Sequence, residues 1–419
     1  MPRAVLNADQ HQNLIERKYS LNAKLKLTGY WDLLDVRLLF KVPACVLFAR
    51  YYREASKPSE ELPVLEWRGQ LPARDVGWDT AQPHLECEPK TARVIYLGKR
   101  AALSTGPGAT KPSKPSKYQN AFRQGATIVP RSFYFVEIAE LDTAVDPMRD
   151  YWVKTDPEQA KQAKKPYDDV NISGLVEGRF VYATSIARYL VPFALLKTVP
   201  VVLPLYNNNG DLQLVLAEKL MKDGYRNFAK WMQQAETLWD TKRKDKASRQ
   251  NLYEWLDYQS KLTRQSLDDR YLVLYNHSGM NVAAAAFDRE SQAIPFVVDV
   301  KLYWAACGTL EEADYLVAVL NSETVNLAIK PFQSMGLLGE RDIHKKLLEL
   351  PIPLFSSKDP KHRRLSKFGG EARLKAEDSV RSPHFPCRSS IARQRRFVRD
   401  ALCEEMSEID RLVQILLSP

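Results

Sequence analysis

Lys26-Leu-Thr-Gly-Tyr-Trp-Asp-Leu33 alternates polar and apolar positions with the period of a half-buried strand. Pro43-Ala-Cys-Val-Leu-Phe-Ala49 is continuously apolar, as in strands covered on both faces. A polar helical stretch, Asp9 to Ala23, precedes them. Two strands cannot close a core, so upstream material or a later segment must complete their sheet. Residues 54–128 change character: eight prolines from Pro58 to Pro115 punctuate them. Within this stretch Ser104-Thr-Gly-Pro-Gly-Ala-Thr-Lys-Pro-Ser-Lys-Pro-Ser-Lys117 has linker composition. A small strand, Arg93 to Leu97, and a mobile loop are expected there.

From Ala126 the globular pattern returns. Strands are predicted at Ser132 to Ala139, Arg179 to Thr184, Val199 to Tyr206, Tyr271 to Tyr275, Val282 to Phe287 and Pro295 to Trp304, from their aromatic and β-branched content. Leu212 to Trp239 has helical spacing, with Gly224 as a break. Glu311 to Leu320 and Glu323 to Ile329 form a helical pair with Ser322 as N-cap, and a final helix covers Ser390 to Leu417. The predicted fold class is α+β: a remnant of an α/β sheet at 1–57, an insertion and flexible linker at 58–128, a mixed α+β domain at 129–358, and a basic helical tail at 359–419.

Composition sharpens this picture. With 45% hydrophobic and 27% charged residues, the 419-residue chain can bury a substantial core, which excludes a wholly disordered or fibrous protein. The net charge of +10 is concentrated: Lys361 to Arg399 holds 12 Lys/Arg against three acids and so carries +9 of it. Such a tail faces nucleic acid or an anionic membrane, or is simply a solvated terminus. The five cysteines are scattered with no CxxC pair, which argues against a disulfide scaffold or zinc ribbon and fits a cytoplasmic location. No apolar run is long enough to span a membrane, and the N-terminus has no apolar core of a secretory signal.

The chemistry-bearing motifs narrow the function by their absence. The sequence has no GxGxxG, P-loop, HExxH or GxSxG. Asp299-Val-Lys301 has the acid-x-Lys spacing of some metal-dependent nucleases, but Glu16-Arg-Lys18, Glu88-Pro-Lys90 and Asp240-Thr-Lys242 show it too, so an ordinary strand is the simpler reading. The DNA-facing candidates are Lys222, Arg226 and Lys230, which with Lys219 interleave with Tyr225, Phe228 and Trp231. A basic helix with aromatics can track phosphates and stack bases, unless the aromatics are core and the lysines a solvated face. Asn207 and Asn208 open an Asn-Asn-Asn-Gly210 cluster whose amides could read adenine edges or merely form a turn. Lys330 and Gln333 lead into Arg341 and Lys345 past Gly336 and Gly339, a phosphate-gripping or plain helix-starting segment. Arg131, Arg179, Arg395 and Arg396 complete the DNA-binding candidates.

Taken in order, several of these segments resemble the C-terminal part of an adenine-N6 DNA methyltransferase of the restriction-modification type. Met1-Pro-Arg-Ala-Val-Leu6 with Gln10 is similar to the segment after the fifth strand of that catalytic fold. Trp31-Asp-Leu33, Leu39-Phe40 and Val42-Pro-Ala-Cys-Val-Leu-Phe48 are similar to its last two strands. Ala126-Thr-Ile-Val-Pro-Arg-Ser-Phe-Tyr-Phe-Val136 resembles the entry into the target recognition domain. Leu316-Val-Ala-Val-Leu-Asn-Ser322, Lys330-Pro-Phe-Gln-Ser334 and Gly339 through Pro353 resemble its closing elements, and Glu404 through Val413 the terminal helix.

The resemblance implies double-stranded DNA as partner, base flipping of a target adenine, and S-adenosylmethionine as cofactor of the whole enzyme. The chain departs from the family where the chemistry lies. Neither the acid-and-glycine loop for S-adenosylmethionine nor an Asn/Asp-Pro-Pro-Tyr/Phe motif is present, and both would precede Met1. No catalytic, cofactor-binding or metal residue is therefore assigned, and the chain alone is expected neither to bind S-adenosylmethionine nor to transfer a methyl group. The alternatives are a complete non-catalytic specificity subunit, acting with a separate methyltransferase or nuclease chain, and a metal-dependent nuclease built on Asp299 and Lys301.

Overall fold

The computed structural model describes residues 1–16, 25–37, 39–40, 42–51, 61–139, 144–243, 250–336 and 339–418. Residues 17–23 of the expected N-terminal helix lie outside them; within them, the α-helical part is a short turn, α1 (Gln12–Ile15). The expected strands at 26–33 and 43–49 are present as β1 (Leu25–Arg37) and β2 (Cys45–Tyr51), and they are not alone. β3 (Glu61–Gln70), β4 (Leu85–Leu97) and β5 (Arg100–Ser104) join them in one five-stranded sheet of order β2-β1-β3-β4-β5. β1 is antiparallel to β2 and parallel to β3. The boundary drawn at residue 57 therefore falls inside a single sheet. A later segment joins the sheet, and its polar-apolar alternation is interrupted by prolines that conceal it.

One face of this sheet packs Leu27, Leu62, Val64, Ala92 and Leu103 over Val5, Leu6 and Ile15; the other carries Trp31 and Trp67, with Trp78 from the short α2 (Trp78–Ala81). The segment 104–117 is not a free linker. Its backbone bonds to Tyr96 (through Ala109, 2.7 Å), Gly98 (through Ser113, 3.0 Å) and Leu348 (through Ser116, 2.8 Å). Any Cβ at Gly108 would sit 2.9 Å from Ile95, so glycine lets this strap lie flat on the sheet.

The middle of the chain is mixed α+β. A helical turn, α3 (Arg131–Tyr134), leads into β7 (Val136–Ile138), which heads a three-stranded sheet with β8 (Asp150–Thr155) and β9 (Ser173–Glu177). The turn replaces the first half of the strand expected at 132–139. Another turn, α4 (Pro157–Ala160), is capped by Asp156. β10 (Val181–Thr184) pairs with β13 (Val199–Val202), and β11 (Leu190–Val191) with β12 (Ala194–Leu195). A four-stranded sheet of order β17-β16-β18-β6 is built from β6 (Arg123–Gln124), β16 (Tyr271–Asn276), β17 (Ala284–Asp288) and β18 (Leu302–Cys307).

The helix expected over Leu212 to Trp239 is three elements. Residues 211–214 form β15 (Asp211–Leu214), paired with β14 (Leu205–Asn208); α5 (Ala217–Lys222) follows, and after Gly224 at φ +93 comes α6 (Arg226–Lys242). α6 buries Phe228, Trp231, Met232, Ala235 and Trp239 in the domain core. The next helix, α7 (Leu252–Leu256), carries a capping box of Asn251 and Glu254.

The expected pair α8 (Leu310–Asn321) and α9 (Glu323–Ile329) is present, with Ser322 capping α9. The basic tail is a docked helical unit: α10 (Pro360–Arg381), α11 (Ile391–Ala401) and α12 (Cys403–Leu417), the last two separated at Leu402. α10 lies so close on α8 that a Cβ at Gly369 would be 2.1 Å from the Asp314 carbonyl oxygen. Much of the tail's charge is spent internally. Arg364, Lys367, Arg373, Lys375 and Arg381 pair with carboxylates, and Arg395 and Arg399 donate to backbone carbonyls. Among the described residues no helix is long and apolar enough to cross a membrane.

Candidate nucleic-acid interface

The β14–β15 hairpin turns through Asn209 (φ +50) and Gly210 (φ +86), the pair of positive φ values that a tight two-residue connection requires. Asn207 Oδ1 accepts from Gly210 N at 2.9 Å, which fixes the turn; Asn207 and Asn208 are both exposed. Beneath the hairpin lies an aromatic nest. Phe180 stacks on Phe228 with centroids 4.7 Å apart, and Tyr206 and Tyr225 stand edge-on at 6.0 Å.

Arg179 crowns the nest. Its guanidinium lies 4.7 Å from the Tyr225 centroid and 5.4 Å from that of Tyr206, and it donates to the Tyr225 hydroxyl. Tyr206 donates to Asp223 at 2.6 Å, and Lys219 pairs with Asp223 at 2.7 Å. Burial and this carboxylate push the Tyr206 phenol well up, while the Lys219 hydrogen bond holds Asp223 down. Lys219 is thus engaged. Lys222, Arg226 and Lys230 are exposed with no acidic partner among the described residues, Arg226 and Lys230 one helical turn apart on one face. Glu177 receives the Asn227 and Phe228 amides at 3.0 and 2.8 Å and anchors the start of α6.

The structure therefore sets Arg179 on Tyr206 and Tyr225, with Asn207 and Asn208 following Tyr206 in the hairpin, Lys222 and Arg226 flanking the Asp223–Tyr225 turn, and Lys230 one helical turn further along α6. The helix aromatics Phe228 and Trp231 are core instead; the Trp231 indole donates to the Phe133 carbonyl at 3.0 Å. Other candidates go elsewhere. Arg131 is buried and donates to Gln159 and Gln162. Gln333 is buried and donates to the Gly279 carbonyl at 3.0 Å. Lys345 donates to the Gln119 carbonyl, and Arg395 to those of Ala187 and Leu190, with burial pulling the Arg395 guanidinium down to about 10. These four act as internal struts: each donates to a backbone carbonyl or side-chain amide of another element of the fold. Lys330 is half-buried, 3.9 Å from Glu323; Arg341 and Arg396 are exposed away from the Arg179 nest.

Asp299 is fully buried, and its Oδ1 accepts the Lys301 amide at 2.9 Å. Lys301 is exposed, and the described residues contain no group of three or more His, Cys, Asp or Glu able to hold a metal. This geometry gives the nuclease reading nothing to build on. Burial pushes the Asp299 carboxyl up to about 6. The protonated form is the one the fold prefers, so its stabilisation is complete below the ordinary carboxylate value and is lost as pH rises through about 6. Asp299→Asn is expected to raise stability at pH 8 by on the order of 2 kcal/mol and to change little at pH 4. Urea melts at both pH values check this; equal effects at the two would contradict it.

Sequence reasoning missed Trp152 and Arg149 on the neighbouring sheet. The signal was there in Asp150-Tyr-Trp-Val-Lys-Thr155, whose even positions are outward and odd positions buried.

No protein-family model matches the chain, and no curated protein matches it. Among solved structures it is similar to the type IIL restriction-modification enzyme MmeI, solved in complex with DNA, with a TM-score of 0.51 at 12% identity, over 99% of this chain and 45% of that one. The type IIG restriction endonuclease BpuSI also matches, at 13% identity over 98% of this chain and 47% of that one, with a TM-score of 0.31. The chain spans less than half the length of either enzyme. What the comparison with MmeI establishes is architecture: this chain has a mixed α+β fold similar to part of a restriction-modification enzyme.

Proposed function

We propose that this chain binds double-stranded DNA and supplies target-sequence recognition within a site-specific adenine-N6 DNA methyltransferase of a restriction-modification system. The observation that carries the reading is the Arg179 surface: an aromatic nest crowned by arginine, an exposed Asn hairpin, and three exposed cations on the adjoining α5 and α6, on a fold similar to part of an enzyme solved on DNA. Lys222, Arg226 and Lys230 engage phosphates, which position the duplex without reading it. The Asn207 and Asn208 amides, held on a rigid turn, read base edges, as Asn does with adenine.

Methyl transfer is assigned to other residues of the whole enzyme, where S-adenosylmethionine supplies the methyl group. The residues here do not fit that cofactor or the flipped adenine. The Asp-Pro steps at Asp146, Asp156 and Asp359 lack a second proline, and each carboxylate accepts backbone amides of its own turn. A second reading, a non-catalytic specificity subunit acting with a separate methyltransferase or nuclease chain, is favoured by the five-stranded sheet, in which β1 and β2 find partners within this chain. It predicts that adding this chain raises methylation or cleavage of DNA by that separate chain.

Gel shifts with genomic DNA fragments at rising salt test the proposal. If about six phosphates are contacted, log K should fall with log salt at a slope of roughly −5. Complete absence of salt-sensitive binding would sink it.

A further inference from the structure

Trp152 is 53% exposed on β8, and its cross-strand partner on β9, Leu175, is 42% exposed. Met148, in the turn that enters β8, is 93% exposed. The alternate residues Tyr151, Val153 and Thr155 are buried, so the tryptophan rides on a strand anchored in the core. A large aromatic left in water on a rigid element is the informative exception to burial.

Its neighbours are specific. One rung along, Asp150 faces Glu177, and both carboxylates are occupied by the first turn of α6: Asn227 Nδ2 donates to Asp150 at 2.8 Å, and the Asn227 and Phe228 amides donate to Glu177. Successive rungs on one face are about 7 Å apart, which places Trp152 within a side chain's length of the residues next to Arg226. Beyond that rung, Gly178 N donates to the Arg149 carbonyl at 2.8 Å, so Arg149 and Arg179 lie at the joined ends of the two strands. The apolar patch therefore runs toward the strand ends that carry Arg149 and Arg179, with the engaged carboxylates Asp150 and Glu177 between.

We infer that Trp152, supported by Leu175, is an apolar wedge that packs against the bases or sugars of the same duplex whose phosphates Lys222, Arg226 and Lys230 engage. The inference rests on the DNA-binding reading and adds to it the residue that contacts the interior of the helix. Continuity with the Arg179 surface selects this occupant: the two intervening carboxylates are taken up by Asn227 and the α6 amides, Arg149 and Arg179 follow beyond them, and a stable protein interface buries about 800 Å² per partner, far more than two or three side chains offer. Every base presents a π-face, so an exposed indole beside phosphate-binding cations has a ready partner, and apolar side chains inserted at base steps are an established way of deforming a duplex.

The test compares the full chain with Trp152→Ala, Trp152→Thr and Trp152→Phe by fluorescence anisotropy on a labelled 30-base-pair genomic duplex, with end-to-end energy transfer reporting DNA shape. The two small variants are expected to bind about 10- to 100-fold more weakly with an unchanged salt slope and reduced bending, while phenylalanine keeps most of the affinity. Threonine keeps the strand propensity, so a loss shared by both with unchanged melting is not unfolding. Wild-type affinity in both small variants overturns the inference and leaves the DNA-binding reading standing; a wild-type chain with no duplex binding overturns both. A change of oligomeric state at unchanged DNA affinity assigns the patch to a second copy and also overturns it.

Discussion

Replacing Asp314 by alanine is expected to lower folding stability by about 3 kcal/mol, the cost of breaking a buried ion pair and leaving Arg373 only the more exposed Glu377, at 3.8 Å. Asp314 sits inside α8 with its side chain 8% exposed, and Arg373 on α10 is 17% exposed. The guanidinium donates twice, Nε to Oδ1 at 2.8 Å and a terminal nitrogen to Oδ2 at 3.1 Å. Arginine cannot shed its proton to relieve the loss. Nor can the helices part to let water in without giving up the close approach at Gly369, whose α-carbon lies against the Asp314 carbonyl. Removing both partners, as Asp314→Leu with Arg373→Met, should recover most of the loss, because the pair's own net contribution is small once desolvation is counted. Urea melts of the two single variants and the double variant form a cycle that isolates the pairwise part. A loss below about 1 kcal/mol for Asp314→Ala would mean that α10 is not locked to α8 as the structure shows.

That helix pair also illustrates what the sequence conceals. α8 and α9 are legible because their apolar spacing and the Ser322 cap coincide. α10 is not, because its charges dominate composition over a narrow apolar stripe of Leu365, Gly369, Ala372 and Ala376. A basic segment reads as a solvated tail when its acidic partners, Asp314, Glu405 and Glu408, come from α8 and α12. Pairing within the first sheet is hidden too, by its prolines. β3 and β4 lie nine register pairs deep in contact, yet Pro63 and Pro89 within them mimic a linker.

The Leu212–Trp239 stretch shows the converse, a helical period that arises by chance. Leu212 belongs to a strand because Asn209 and Gly210 turn the chain back on β14. In the candidate interface, residue types were readable and partners were not. Arg131, Gln333, Lys345 and Arg395 have the chemistry of DNA contacts, and only tertiary structure reveals that each donates to a partner within the fold.

The triple variant Lys222→Ala, Arg226→Ala, Lys230→Ala should weaken duplex binding roughly equally for all sequences and flatten the salt slope by about 2.7, at about 0.9 per phosphate contact. Near physiological salt each such contact is worth about 1 kcal/mol of released counterion, so the three together amount to about 3 kcal/mol, or roughly 100-fold. Stability should be unaffected, since all three side chains are exposed and without acidic partners among the described residues. Asn208→Ala should behave oppositely: a smaller loss on the preferred sequence, little on others, and an unchanged slope, because a base-reading amide releases no counterion. Anisotropy titrations of both variants at three salt concentrations, against a panel of duplexes, separate the two behaviours. If the triple variant kept the wild-type slope, the cations of α5 and α6 would not lie on the DNA, and the Arg179 surface would lose its claim to the duplex. If the slope fell while Asn208→Ala still discriminated among sequences as wild type does, the surface would hold the backbone and the reading of bases would belong to another loop.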